Sequence, residues 1–158
     1  MRRPAIRAVP EGFLSWDCRF LDGDREVGRL DVAVLRRRAT LEVDGRLFRI
    51  RRDGLMGDIL LEGADGREVA RAAPLGRRFV VRAGDRTLVL KGARPFARDF
   101  VLLHGDRQVG SMAREGLFRR SARVEFPVEL PLPIRLFLAF LVILRWRQAR
   151  AAALGGGS

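Results

Sequence analysis

The 158-residue chain has a single cysteine, Cys18, and a single histidine, His104. One cysteine excludes an intrachain disulfide and a thiolate metal cluster, and one histidine excludes a two-histidine metal site within the chain. The four serines lie outside any G-x-S-x-G motif, and the sequence has neither a G-x-x-x-x-G-K-[ST] phosphate loop nor a strand–G-x-G-x-x-G–helix unit. We therefore expect a protein that is not an enzyme and that uses no cofactor or metal.

The N-terminal segment lacks the apolar run of a secretory signal peptide, and the scarcity of cysteine is typical of a reducing compartment. These absences predict a cytoplasmic protein, and peripheral contact with the inner face of the membrane stays open. We expect residues 1–12 to be a flexible N-terminus and residues 13–150 to form one domain. Residues 151–158, which end in GGGS, are expected to be a flexible tail or linker.

Lysine is also nearly absent: of the 31 basic residues only Lys91 is a lysine, and the net charge is +12. A guanidinium group can bind a phosphate through two parallel hydrogen bonds, so this composition favours phosphate-bearing partners. The alternative is that most of the arginines are solvated or pair with carboxylates such as Glu42, Asp53 and Asp58.

Short turn motifs that combine Asp with Gly recur about every twenty residues between residues 13 and 126. One kind is GDREVGRL (23–30), DGREVARA (65–72) and GDRQVGSM (105–112), and the other is DGRLFRIR (44–51) and GDRTLVLK (84–91). Matched on their arginines, the first kind repeats after 42 and 40 residues and the second after 40. Asp and Gly tolerate the positive φ of tight hairpins, so the period predicts three units of about four strands each.

An apolar run, Leu136 to Leu144, follows the last predicted strand. As a helix it would span ~14 Å, against roughly 30 Å of bilayer hydrocarbon, and it has no polar face. A barrel of about twelve strands is too wide for its own side chains to fill. We therefore expect a mainly β protein, a closed antiparallel barrel of about twelve short strands, threaded by a hydrophobic helix over about 132–150. Arg145, Arg147 and Arg150 would then place positive charge near the C-terminal end of the helix, where the helix dipole favours it.

The segments FVLLHGDRQVGSM (100–112) and ELPLPIRLFLAFLVILRW (129–146) resemble the tubby-like superfamily, which includes tubby C-terminal domains, phospholipid scramblases and LURP-one-related proteins. The resemblance covers roughly residues 13–150 and is closest to the bacterial LURP-one-related proteins of unassigned function. It implies a twelve-stranded barrel threaded by a C-terminal hydrophobic helix, and a role at membranes. Glu115 and Glu125 stand apart without the calcium-loop pattern of scramblases, which argues against lipid scrambling. A pleckstrin-like barrel with a C-terminal helix is the alternative fold, but that helix should be amphipathic.

Alternate connections of an antiparallel meander emerge at the same end of the barrel. The five Asp/Gly hairpins would lie at one end, and the arginine clusters between them would make the other end strongly basic. The candidate residues for binding an anionic membrane surface or a phosphorylated ligand are Arg36, Arg37, Arg38, Arg51, Arg52, Arg77, Arg78, Arg119 and Arg120. Lys91, Arg94 and Arg98 belong to the same set of connections.

Two other functions stay open from the sequence. A nucleic-acid-binding module would need aromatic side chains for base stacking, and Phe48, Phe79 and Phe118 lie near arginine pairs although tyrosine is absent. A membrane-anchored protein would use residues 130–146, although Arg135 within that window would be costly in lipid.

Overall fold

The computed structural model describes residues 5–11, 17–33, 38–54, 57–94, 98–115 and 121–155, and within them twelve strands and one helix. The strands are β1 (Ile6–Pro10), β2 (Cys18–Asp22), β3 (Arg25–Ala33), β4 (Arg38–Val43), β5 (Arg46–Arg52), β6 (Ile59–Glu62), β7 (Glu68–Leu75), β8 (Arg78–Ala83), β9 (Arg86–Gly92), β10 (Phe100–His104), β11 (Arg107–Arg114) and β12 (Ala122–Glu125). The helix, α1, is Leu132–Gly155. All strand pairs are antiparallel, and β1 pairs with both β2 and β12, which closes the barrel.

The turns form where Gly or Asp accepts a positive φ. The β4–β5 hairpin turns on Asp44 and Gly45, with φ of 50° and 78°, the combination that a two-residue hairpin with the twist of a β-sheet requires. Along the strands, burial alternates, as in the pattern exposed–buried–intermediate–buried–exposed–buried that β4 and β8 share. Each strand therefore has an inward apolar face and an outward polar one.

The internal repeat predicted from the turns is visible in the strand register. The pairing shifts by one residue after Phe20 in the β2–β3 hairpin, after Leu61 in β6–β7 and after Leu102 in β10–β11. These irregularities are 41 residues apart and stand at the same place in each unit. The third unit has only three strands before the helix, and β1 completes it by pairing with β12.

The N-terminal boundary differs from the sequence prediction. Residues 6–10, expected to be part of a flexible N-terminus, form β1 and are the strand that closes the barrel. Ile6 and Ala8 point inward and are buried, whereas Arg7 lies between them on the outer face. Five residues with two inward apolar positions, Ile6 and Ala8, are too short a pattern to identify a strand without its neighbours.

The helix lies inside the barrel, as predicted. Every residue from Leu136 to Val142 is buried, and these side chains form one continuous core with the inward residues of the strands. The helix begins at Leu132, where Pro131 accepts the first backbone hydrogen bonds from Ile134 and Arg135. The segment from Leu136 to Val142 is buried on all sides and the strands close around it, so the fold is the twelve-stranded barrel and not the pleckstrin-like alternative.

The helix ends later than expected, at Gly155 and not near residue 150. Residues 151–155, assigned to the flexible tail, are therefore helical, and residues 156–158 lie outside the described part of the chain. The last turn contains no basic residue, so Arg145, Arg147 and Arg150 do not occupy the helix terminus where the dipole would favour them. No helix within the described residues combines the length and apolar character needed to cross a bilayer.

Candidate functional site

The two ends of the barrel have opposite excesses of charge. One end, here the turn rim, consists of residues 22–26, 43–46, 62–68, 83–86, 104–107 and 125–131, with eleven carboxylates and five arginines. The opposite end is the arginine rim. Its described arginines are Arg38, Arg51, Arg52, Arg77, Arg78, Arg94, Arg98, Arg114, Arg145, Arg147 and Arg150, and its described carboxylates are Glu11, Asp17, Asp53, Asp58, Asp99 and Glu115. The turn rim was expected to be mixed, and within the described ranges it is more acidic than basic.

Five of the nine predicted site residues lie on the arginine rim: Arg38, Arg51, Arg52, Arg77 and Arg78. The four others, Arg36, Arg37, Arg119 and Arg120, lie outside the described residues. Arg38 and Arg51 are partners in the β4–β5 register, and Arg78 is opposite Leu75 in the β7–β8 hairpin. The antiparallel topology thus brings together arginines that are up to 40 residues apart in the chain.

The direction of each side chain separates these arginines into two groups. In β5 the buried residues Phe48 and Ile50 alternate with exposed ones, so Arg52 lies on the inward side at the barrel mouth. Arg51 points outward and forms an ion pair with Glu62. The expectation that carboxylates would pair with rim arginines is met for Arg51, but Asp58 pairs instead with Arg71 of the barrel wall.

The helix adds a cation to the mouth. Arg145 donates from Nη2 to the carbonyl oxygen of Gly76 at 3.2 Å, and its Cζ lies 4.2 Å from the centre of the Phe79 ring. Its Nη1 donates to Oε1 of Gln148 at 3.0 Å. Burial lowers the pKa of Arg145, and the nearby charge of Arg52 lowers it further. Arg52 and Arg145 therefore come from different elements, and both lie at this end of the barrel.

Trp146, which follows Arg145 in the helix, anchors the helix at the same mouth of the barrel. Its indole N–H donates to the carbonyl oxygen of Arg98 at 2.7 Å, and Arg114 lies over its ring at 4.6 Å. Arg114 shares the inward side of β11 with Gly110 and Met112. Neither Arg114 nor Arg145 was among the site residues predicted from the sequence. The available signal was the helix length: a helix that starts at one rim must bring residues 145–147 to the other.

Several carboxylates near the arginine rim pair with arginines of the barrel wall. Glu11 contacts Arg19 at 3.4 Å and Arg29 at 2.5 Å, and Glu115 contacts Arg7 at 3.4 Å. No carboxylate within the described parts of the chain forms an ion pair with Arg52, Arg78 or Arg145. The charges of these three arginines are therefore not neutralised by an ion pair within the described residues.

Apolar side chains are exposed beside the cations. Leu75, next to the turn that contains Arg77, is 54 % exposed, and Leu154 near the helix end is 77 % exposed. Every residue from Gln148 to Gly155 is exposed, so the last two turns of the helix extend beyond the mouth. In contrast, Phe48 and Phe79 are buried, so neither can stack on a nucleic-acid base, and Phe118 lies outside the described residues.

A cleft of about 350 Å³ lies at the turn rim. Both signs of charge line it, with Arg86, Arg107, Glu125 and Glu129 around the exposed His104. Among the described residues no group of three or more His, Cys, Asp or Glu side chains could hold a metal ion. The cleft was not anticipated from the sequence, because Glu125 and Glu129 reach it only through the β12–α1 connection.

Comparison with known proteins gave no matching family model, no matching curated protein and no matching solved structure.

Proposed function

We propose that the protein is a non-enzymatic binding module that docks on anionic membrane surfaces through the arginine rim. The observation that carries this proposal is the set of rim cations without a carboxylate partner, Arg52, Arg78 and Arg145, at one end of a molecule whose other end is more acidic than basic. A bilayer with anionic headgroups would attract the arginine rim and repel the turn rim, which orients the barrel axis along the membrane normal. A cytoplasmic location at the inner membrane face follows from the same proposal.

The exposed leucines favour a bilayer over a nucleic acid as the partner. Leu75 and Leu154 lie beside rim arginines, and a leucine gains free energy when it leaves water for the headgroup–acyl boundary of a bilayer. Phosphate backbones offer no such environment, and single-strand binding would need accessible aromatic rings. With Phe48 and Phe79 buried, the nucleic-acid hypothesis has less support than the membrane hypothesis.

Anchoring by residues 130–146 would require a large rearrangement. These residues include Leu136 to Val142, which fill the barrel, so insertion in lipid would empty the core. Docking through the rim needs no such change, and we therefore prefer it.

The test is sedimentation with phosphatidylcholine vesicles that contain phosphatidylserine, in about 0.1 M salt. The double variant Arg77→Gln/Arg78→Gln should bind about 30-fold more weakly, since each basic residue near an anionic surface contributes about 1 kcal/mol. The matched control is Arg86→Gln/Arg107→Gln, which removes the same charge from the turn rim and should bind like the wild type.

Equal losses in the two double variants would show that net charge alone drives binding, and would overturn the proposal. Binding to single-stranded DNA that vesicles cannot displace would favour the nucleic-acid hypothesis instead. Unchanged vesicle binding by Arg77→Gln/Arg78→Gln would exclude this rim as the docking surface.

We also propose that the chain is a relative of the tubby-like proteins that its sequence resembles. The support is architectural: twelve antiparallel strands enclose a C-terminal helix in which every residue from Leu136 to Val142 is buried. Membrane docking agrees with the role at membranes that the resemblance implies, and the proposed docking surface is derived from the rim itself.

A further inference from the structure

We infer that the cleft at the turn rim binds a small aliphatic monocarboxylate, with Arg86 and Arg107 holding the carboxylate and Val128 contacting the hydrocarbon part. The cleft has a volume of about 350 Å³, which lies within the range of pockets that hold small molecules. It is at the opposite end of the barrel from the arginine rim, so this site is separate from the proposed docking surface.

Three side chains that can donate hydrogen bonds to an anion converge on the cleft from two hairpins. In β9, Arg86 shares its side of the strand with the buried Leu88. In β10, His104 shares its side with the buried Leu102. Arg107 is opposite His104 in the register, and directly opposed residues of an antiparallel pair project from the same face. All three side chains are therefore on the inward side at the turn rim, where they line the cleft and are exposed.

The internal repeat provides a comparison for Arg107. Its counterparts in the first two units, Arg25 and Arg67, form ion pairs with Asp44 and Asp65, each at 3.8 Å. Arg107 follows an equivalent Asp/Gly turn, but it forms no ion pair within the described parts of the chain. The third unit thus departs from the repeat at an arginine that lines the cleft.

The connection from β12 to the helix forms the opposite wall and supplies the apolar surface. In the first two units a hairpin follows at this point, whereas here the N–H of Leu130 donates to the carbonyl oxygen of Pro127 at 3.1 Å and closes a turn. Val128 in this turn is 53 % exposed, and Pro127 and Val109, which also line the cleft, are partly buried. A hydrocarbon chain that covers these side chains would be stabilised by the apolar area that it removes from water.

The two carboxylates of the lining determine which anion the cleft favours. Glu125 forms an ion pair with Arg123 at 2.5 Å on the outer face of β12, so its charge is already balanced. Glu129 is exposed on the turn and has no ion pair among the residues that the structure describes. Two unpaired arginines against one unpaired carboxylate attract a single negative charge, and Glu129 would repel a second one. The cleft should therefore prefer a monocarboxylate to a dicarboxylate.

The binding experiment is an NMR titration of the isotope-labelled full chain with hexanoate, followed on the backbone amides of Arg107 and Val128 and on the imidazole signals of His104. Three analogues are matched to hexanoate: hexanamide lacks the charge, adipate has a second carboxylate on a chain of the same length, and acetate lacks the hydrocarbon part. Hexanoate should shift these signals in a saturable way. Each analogue should bind at least about tenfold more weakly, as expected for the loss of a charge-assisted contact or of the apolar contact.

Variants test the assigned residues. Arg86→Gln/Arg107→Gln should weaken hexanoate binding by about tenfold or more. The matched control, Arg25→Gln/Arg46→Gln, removes the same charge from the counterpart positions of the first unit, outside the cleft, and should bind hexanoate like the wild type. Glu129→Gln should bring the affinity for adipate close to that for hexanoate. The substituted side chains are all exposed, and unchanged unfolding midpoints would verify that the variants fold.

Three results would overturn the carboxylate site: no saturable shift with hexanoate in the wild type, equal affinities for hexanoate and hexanamide, or equal losses in the two double variants. The docking proposal is tested independently, because Arg77→Gln/Arg78→Gln should lose vesicle binding and keep hexanoate binding. The reverse pattern is expected for Arg86→Gln/Arg107→Gln, so failure of one proposal can be distinguished from failure of the other.

Discussion

At the scale of single residues, the barrel depends on positions where no side chain fits. Gly28 and Gly110 occupy equivalent places in β3 and β11, on the inward side of their strands. A Cβ at Gly28 would lie 2.4 Å from Cδ1 of Leu136, so the helix passes where this residue has only a hydrogen. A Cβ at Gly110 would lie 2.7 Å from the backbone oxygen of Glu125. The second clash is the harder to relieve, because backbone cannot rotate away.

We expect Gly110→Ala to destabilise the protein by about 1–3 kcal/mol, the usual cost of overpacking. The matched control is Gly92→Ala in β9, where the nearest atom to a new Cβ is 3.5 Å away, an ordinary contact. Urea unfolding curves of the two variants provide the measurement. If both variants have the same midpoint as the wild type, the backbone beside Gly110 is less closely packed than described.

Burial also determines the reactivity of the single thiol. Burial raises the pKa of Cys18 from 9.0 to about 12, so the thiol is neutral at pH 8. We expect thiol reagents to label the native protein slowly and the urea-unfolded protein quickly at this pH. The raised pKa means that this group's contribution to stability is intact below pH 9 and declines as the pH rises from 9 toward 12. Fast labelling of the native protein at pH 8 would contradict this description.

At the scale of elements, the helix has two functions in one continuous segment. Its first half fills the barrel, and its second half brings Arg145 and Trp146 to the mouth and extends beyond it. The same element therefore contributes both to the core and to the charge of the arginine rim.

Two leucines on this helix provide a matched test. Leu138 is fully buried and Leu154 is 77 % exposed. We expect Leu138→Ala to lower the free energy of unfolding by about 2–5 kcal/mol because it leaves a cavity, and Leu154→Ala to change it by less than about 0.5 kcal/mol. Thermal or urea unfolding measures both. Similar small effects at the two positions would show that residue 138 is not enclosed by the strands.

At the scale of the whole molecule, closure depends on a strand from the other end of the chain. β1 lies between β2 and β12, and without it both neighbours would have exposed edges with unpaired backbone groups. The third repeat would also lack its fourth strand.

We therefore expect deletion of residues 1–10 to cause association of the chains through these open edges, seen as a shift to larger species in size-exclusion chromatography. Deletion of residues 1–4 alone, which lie outside the described part of the chain, is the control and should leave the elution volume unchanged. A monomeric, stably folded product after deletion of residues 1–10 would show that β1 is not needed for closure.

The sequence alone was sufficient for the architecture because its strongest signals are local. Asp-Gly turns, alternating strands and an apolar run each report on their immediate neighbours, and their 40-residue period predicts the barrel and its enclosed helix. The role of residues 6–10 was missed because its partner strand, β12, is more than 100 residues away. A short strand without turn motifs can be recognised only through its partners.

The candidate site shows the same division. The arginine clusters and the end of the barrel on which they lie follow from alternating connections, so their grouping could be predicted from the sequence. The stacking of Arg145 on Phe79, the ion pair that neutralises Arg51 and the position of Arg114 over Trp146 were decided only by the tertiary structure. The physical reason is that charges interact through space, and the distances between these side chains depend on how far the helix extends through the closed barrel.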